Sequence, residues 1–266
     1  MHPSSTMLSA NGLNLHVMQK GSGQLAIVFL HYWGGSSRTW SLVIDRLSDD
    51  HRCVAVDLRG WGQSDHAASD FSLAVQAADV EAVIAELGLS NFVLVGHSMG
   101  GKIAQIIASR RPSGLRALVL VGPAPPTPAI IPDEEKQMRL EGYHSEEGVR
   151  MVLGILAERP LSDAHRRQVV EDTLGGQEAA KEVWINQNMG VDISDAASAI
   201  EVPVDVIVGD ADRVETEEVL REEIPRFIPN ARFHILPGVG HLAPLEAPDE
   251  LASIIAGALR DFQERA

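Results

Sequence analysis

A single cysteine among 266 residues leaves no partner for an intramolecular disulfide and excludes a metal cluster built on several thiolates. That residue, Cys53, stands in the apolar run Cys53-Val54-Ala55-Val56, which reads as a buried strand. Basic residues are outnumbered, 22 Lys and Arg against 37 Asp and Glu, for a formal net charge of -15. Such a chain is repelled by a phosphate backbone or an anionic membrane surface unless a local basic patch overrides the total. The basic clusters Arg110-Arg111 and Arg166-Arg167 are pairs only, so no nucleic-acid partner is expected. No stretch approaches the roughly 20 apolar residues of a membrane span. Met1 to Asn11 also lacks the apolar centre of a secretion signal, so a soluble, cytoplasmic protein with no membrane partner is expected. Internal repeats and low-complexity segments are absent.

What remains is an ordinary globular composition, 45% hydrophobic and 22% charged, in a length that suits one large α/β domain or two small ones. Short runs rich in Val, Ile and Leu read as strands: Leu13 to Met18, Leu25 to Leu30, Cys53 to Leu58, Phe92 to Val95, Ala117 to Val121, Val204 to Val208 and Arg232 to Leu236. Leu8 to Ala10 adds an edge strand, for eight in all. After the first long run the pattern is continuous rather than alternating, as expected of parallel strands covered on both faces. Helical spacing separates them, as in Val80, Val83, Ile84 and Leu87 before Gly88, and in Leu251, Ile254, Ile255 and Leu259 with Asp249 as the expected cap. Alternating strands and helices predict a mostly parallel, doubly wound sheet. The alternation breaks at Pro123, Pro125, Pro126, Pro128 and Pro132, and from Asp133 to about Ile200 only helical patterns follow. That segment reads as a helical insertion.

The chemistry concentrates in Gly96-His97-Ser98-Met99-Gly100-Gly101, which follows a strand and opens a helix. A serine on such a turn exposes its hydroxyl, and glycines two positions to either side let the chain bend sharply. A serine hydroxyl is a weak nucleophile at neutral pH and needs a base, usually a histidine held by a carboxylate. Of ten histidines, His241 ends the glycine-rich loop Gly238-Val239-Gly240 after the last strand, whereas His234 lies within that strand. Asp210 and Asp212 both stand at the end of the strand Val204 to Val208, where groups of a parallel sheet converge with those of its neighbours. Either could orient the histidine.

Four segments resemble the α/β-hydrolase superfamily over nearly the whole chain: His31-Tyr32-Trp33-Gly34-Gly35, Asp57 to Ser64, Gly96 to Gly101, and Gly209 to Asp212 with Gly238 to His241. The resemblance implies an α/β-hydrolase core over residues 1–125 and 201–266 and a helical cap over 126–200. It selects Asp212 over Asp210, because the family's acid stands three residues after the strand-ending glycine. It also implies an oxyanion hole from the backbone N–H groups of Trp33 and Met99. Tyr32 departs from the family, which usually has glycine after the histidine, and is a candidate substrate contact. Trp184, Met138, Met151 and Met189 are candidate pocket walls. His31 is expected to hold the oxyanion loop, and Asp57 and Arg59 to shape a turn.

The expected function is a carboxylesterase-like serine hydrolase acting on a small uncharged ester or lactone through an acyl-enzyme on Ser98, with Asp212 and His241 completing the triad. Carbon-carbon bond hydrolysis, perhydrolysis and a slow-turnover ligand receptor are alternatives on the same fold. No cofactor is required and no metal site is expected. Ligand spacing such as H-E-x-x-H is missing, and so is a dinucleotide fingerprint.

Overall fold

The computed structural model describes residues 3–265. β1 (Ser4–Ala10) and β2 (Leu13–Lys20) form a hairpin. Its turn residues Asn11 and Gly12 have φ of 49° and 78°, the left-handed pair that suits a right-twisted hairpin. Pairing with β2 from Ser4 onward makes the edge strand longer than the expected Leu8 to Ala10. There follow β3 (Ala26–Leu30), α1 (Ser41–Leu47), β4 (Arg52–Val56), α2 (Leu73–Glu86), β5 (Phe92–His97), α3 (Met99–Ser109) and β6 (Leu115–Val121).

Five helices come next with no strand between them among the described residues: α4 (Asp133–Gly142), α5 (Glu146–Leu156), α6 (Asp163–Gly175), α7 (Glu178–Asn186) and α8 (Ser194–Ser198). The chain then returns to the sheet with β7 (Val204–Gly209), α9 (Glu217–Phe227), β8 (Arg232–Leu236), α10 (Ala243–Glu246) and α11 (Pro248–Arg265). Asp249 falls inside the first turn of α11 rather than before it, and pairs with Arg46. The expected cap is therefore a first-turn acid, favourable toward the helix dipole.

The eight strands lie in the order β1-β2-β4-β3-β5-β6-β7-β8. β2 runs antiparallel to both neighbours and every later pairing is parallel. Alternate residues of the central strands face opposite helical layers. Val28, Leu30 and Leu94 pack with Val80 of α2 and Ile103 of α3, whereas Ile27, Phe29 and Val95 pack with Ile44 of α1 and Ile255 of α11. Burying each such side chain is worth about 1.5–3 kcal/mol, which explains why these strands tolerate no polar alternation. A third cluster joins Tyr32, Leu242 and Leu245 at the strand ends to Val149 and Leu153 of α5 and Val169 of α6. Parallel pairing brings the C-terminal ends of β3, β5, β6, β7 and β8 to one edge. There α5 and α6 pack on Tyr32 and Leu242. Among the described residues, no helix is long and apolar enough to cross a membrane.

Candidate active site

Ser98 is the hinge between β5 and α3, with φ 52° and ψ -115°. That conformation costs a non-glycine residue of order 1–3 kcal/mol, and it persists only because its surroundings fix it. The Ser98 carbonyl accepts from Gly101 N at 2.8 Å, Ala124 N at 3.1 Å and Lys102 N at 3.2 Å, while its own N–H donates to Val121 O at 3.1 Å. The flanking glycines permit the approach: a Cβ on Gly96 would stand 2.5 Å from Gly100 O, and one on Gly100 would stand 2.6 Å from Leu30 O. With its backbone committed, the Ser98 side chain makes no hydrogen bond to any described residue.

His241 is held from three sides. Its N–H donates to Leu156 O of α5 at 2.7 Å, and its carbonyl accepts from His97 Nε2 at 2.7 Å. That bond fixes the His97 proton on Nε2, and burial together with the nearby His241 lowers the His97 pKa to about 3, so this ring is neutral. Glu246 of α10 supplies the third hold, accepting from Gly240 N and Leu242 N at 3.0 Å and from Glu158 N and Arg159 N at 2.8 Å. One carboxylate thus ties the His241 loop to the segment leaving α5.

His241 Nδ1 meets Asp212 Oδ2 at 2.8 Å, and both side chains are buried. Asp212 Oδ1 accepts from Val214 N at 2.8 Å and Glu215 N at 3.0 Å. Burial alone would raise the Asp212 pKa, but the imidazole and the two N–H groups outweigh it and hold the carboxyl below its ordinary range. Burial likewise works against the His241 imidazolium, yet the Asp212 charge prevails and the histidine pKa is raised. Asp210 does not reach His241; it is exposed and accepts from Gly238 N at 2.6 Å, fixing the turn below the histidine.

The loop after β3 is ordered just as closely. Leu58 N donates to His31 Nε2 at 3.0 Å, so the His31 proton is on Nδ1 and goes to Tyr32 O at 2.8 Å. Gly35 N donates to the same carbonyl at 3.0 Å. In a planar trans peptide the N–H points away from the carbonyl, so anchoring Tyr32 O fixes where Trp33 N–H points. Neither Trp33 N–H nor Met99 N–H has an acceptor among the described residues, so both can meet a developing negative charge. Asp57 closes the neighbouring turn by accepting from Gln63 N at 2.8 Å and from His16 Nδ1 at 2.8 Å, and Arg59 forms a buried pair with Asp79.

The other sequence candidates separate. Tyr32 is buried, its ring centroid 5.2 Å from that of His97, and its hydroxyl bonds to no described residue. Trp184 and Met189 are buried in the cluster that contains Trp33 and Met99. Met138 and Met151 are 64% and 67% exposed and point outward, because α4 and α5 turn their other faces to the core; Met151 lines an open surface hollow with Glu146, Glu147 and Arg150. Sequence reading missed Glu246, Glu215, Lys102 and Tyr143. Burial pushes the Glu215 carboxyl up to about 8, with His241 and Asp212 the charges acting on it most strongly. Lys102 is 1% exposed, its ammonium bonded among the described residues only to the carbonyls of Met189 at 3.3 Å and Thr127 at 3.4 Å. Burial lowers its pKa to about 8. Among the described residues no three His, Cys, Asp or Glu side chains gather as a metal site.

Comparison with known proteins agrees with this architecture. Residues 26–148 match a family model described as alpha/beta hydrolase fold. The chain is 27% identical to a non-heme haloperoxidase of Rhodococcus erythropolis, over 88% of this chain and 91% of that one. It is 35% identical to the N-formylmaleamate deformylase of Pseudomonas putida over 117 residues, 44% of each chain. An esterase from Exiguobacterium antarcticum superposes with a TM-score of 0.89 at 22% identity, over 97% of this chain and all of that one (100%).

Proposed function

The chain belongs to the α/β-hydrolase superfamily, and from that premise we propose that it is a serine hydrolase that cleaves carboxylic esters through an acyl-enzyme. The observation that carries the reading is the conjunction at one sheet edge of a strained serine turn whose hydroxyl bonds to no described residue, a buried His241–Asp212 pair and two N–H groups with no acceptor among the described residues. Ser98 attacks the ester carbonyl while His241 takes the hydroxyl proton at Nε2. Asp212 holds the tautomer that leaves Nε2 free and stabilises the imidazolium that forms. Negative charge on the carbonyl oxygen is met by Trp33 N–H and Met99 N–H, each such donor typically being worth about 3–4 kcal/mol. His241 then protonates the leaving alcohol and activates the water that releases the acid.

Residues 126–200 serve as the cap in this reading, with Trp184 and Tyr32 near the acyl group of a small ester. Support for a cap comes from α5 and α6, whose Leu153 and Val169 pack on Tyr32 and Leu242 beside the histidine. The test is covalent labelling by a fluorophosphonate with peptide mapping, alongside hydrolysis of p-nitrophenyl esters of short to medium chain. Label on Ser98 and turnover abolished in Ser98→Ala are expected. Turnover surviving in Ser98→Ala would reject the nucleophile, and stoichiometric rather than repeated product release would replace the enzyme by a slow receptor.

A further inference from the structure

Three successive carbonyls of the loop after β3 each accept a hydrogen bond, and two of the donors come from the segment between β6 and β7. Tyr32 O is held within the core by His31 and Gly35. Trp33 O accepts from the Tyr143 hydroxyl, just after α4, at 3.2 Å, and Gly34 O accepts from Thr173 Oγ1 of α6 at 3.0 Å. The Tyr143 ring also stacks on the Trp33 indole, with centroids 3.8 Å apart and planes 19° from parallel. Two residues beyond Gly34, Ser36 Oγ donates to Asp172 Oδ2 at 2.9 Å, and Arg38 reaches the other oxygen of the same carboxylate at 2.6 and 3.0 Å. The docking is tight: at Gly34, with φ +97°, a Cβ would stand 2.6 Å from Tyr143 Cε1 and 3.1 Å from Thr173 Oγ1.

We propose that Tyr143 and Thr173 are positioning residues for the oxyanion loop, so that transition-state binding at Ser98 depends on docking of the inserted helices. This rests on the serine-hydrolase reading above. Trp33 N–H lies in the peptide plane before the Trp33 Cα, and that plane can rock only if the φ and ψ rotations joining it to the plane after the Cα are free. His31 fixes the plane before it, and the Tyr143 hydroxyl fixes the plane after it. Thr173 then pins the next plane, which stops the glycine at 34 from relaxing the turn. Both side chains are buried, Tyr143 at 4% and Thr173 at 2% exposure, so water does not replace either donor cheaply when it is removed. Neither side chain touches the reacting atoms. Both act through the backbone of Trp33.

The experiment separates recognition from chemistry by measuring the binding constant and the maximal rate of Ser98 phosphonylation by a fluorophosphonate, whose pentacoordinate transition state carries charge on an oxygen as ester attack does. Tyr143→Phe keeps the stacked ring and loses only the hydroxyl; Thr173→Val keeps the shape and loses the donor; Thr173→Ser keeps the donor. In Tyr143→Phe and Thr173→Val the maximal rate is expected to fall about tenfold with the binding constant changed less than about twofold, short of the 10²–10³ that removal of a donor costs. Thr173→Ser is expected to retain the parent rate even where its melting temperature falls with that of Thr173→Val. Parent-like maximal rates in both donor-deleting variants would overturn the proposal. So would loss in Thr173→Ser equal to that in Thr173→Val, which would mark a packing role. Absence of label on Ser98 in the parent protein would overturn the hydrolase reading first, and this proposal with it.

Discussion

Replacing Asp212 by asparagine tests the proton arrangement of the site. The new amide has two orientations. With its oxygen toward Val214 N and Glu215 N, it keeps the two backbone hydrogen bonds that Asp212 Oδ1 makes at 2.8 and 3.0 Å and turns its NH2 to His241. The flipped amide keeps an acceptor for His241 Nδ1 but leaves two buried N–H groups facing an NH2, at about 1–3 kcal/mol each. Two lost bonds outweigh one, so the first orientation prevails. His241 must then accept at Nδ1 and carry its proton on Nε2, the atom that has to receive the serine proton. Loss of the correct tautomer in such a triad lowers turnover by about 10⁴. A fall of about 10³–10⁴ is therefore expected here, or about 4–5 kcal/mol at 1.36 kcal/mol per decade. The assay is p-nitrophenyl ester hydrolysis from about pH 5 to 10, with melting temperature as the control for folding. In the parent the acid limb should lie above the ordinary histidine value, because Asp212 prevails over burial and raises the His241 pKa, and it should move to lower pH in residual Asp212→Asn activity. Asp210→Asn, which alters only a turn contact to Gly238, should cost less than about threefold. A well-folded Asp212→Asn within tenfold of the parent, or an equal loss in Asp210→Asn, would refute the reasoning.

Two further outcomes follow from groups that burial has shifted. Glu215, pushed up to about 8, is neutral at pH 7 and becomes a negative charge beside the reacting centre above that value, so ester turnover should decline there. Glu215→Gln should flatten this alkaline limb, and an unchanged limb would show that Glu215 is not its source. For Lys102, the pKa falls from 10.5 to about 8, so between those values the folded chain binds fewer protons than the unfolded chain and the parent gains stability as pH rises. Below about pH 8 that contribution is lost, and burial of the ammonium costs about 3 kcal/mol. Lys102→Met should therefore be relatively more stable at pH 7 than at pH 10 in denaturant titrations; a constant difference between the two proteins would reject the shift.

Much of the fold was legible along the chain because its strands are buried on both faces. Runs such as Ala26 to Leu30 and Phe92 to Val95 are apolar at every position, a pattern that needs no tertiary information. The Gly-x-Ser-x-Gly turn was legible for a similar reason. Its strand, hinge and helix are consecutive in sequence, and the close contacts that demand glycine are local. The hairpin at Asn11-Gly12 was equally local, although its reach back to Ser4 comes from pairing with β2 and not from the composition of β1. Met138 and Met151 illustrate the opposite case. Helical spacing marks a residue's angular position, but only the packing of α4 and α5 decides which angle faces the core.

The sequence by itself determined the alternation of strands and helices, the place where that alternation stops, and the candidates Ser98, Asp210, Asp212 and His241, since each depends on residues near one another in the chain. The tertiary structure decided which aspartate meets His241, because Asp210 and Asp212 are two residues apart and differ only in the direction their side chains take from the end of β7. It also decided that Glu246 ties the His241 loop to the chain leaving α5, and that Tyr143 and Thr173 grip the carbonyls of Trp33 and Gly34 across 110 and 139 residues. No local pattern encodes such contacts. They arise because burial at the sheet edge leaves backbone groups without water, and whichever side chain the fold brings there must satisfy them.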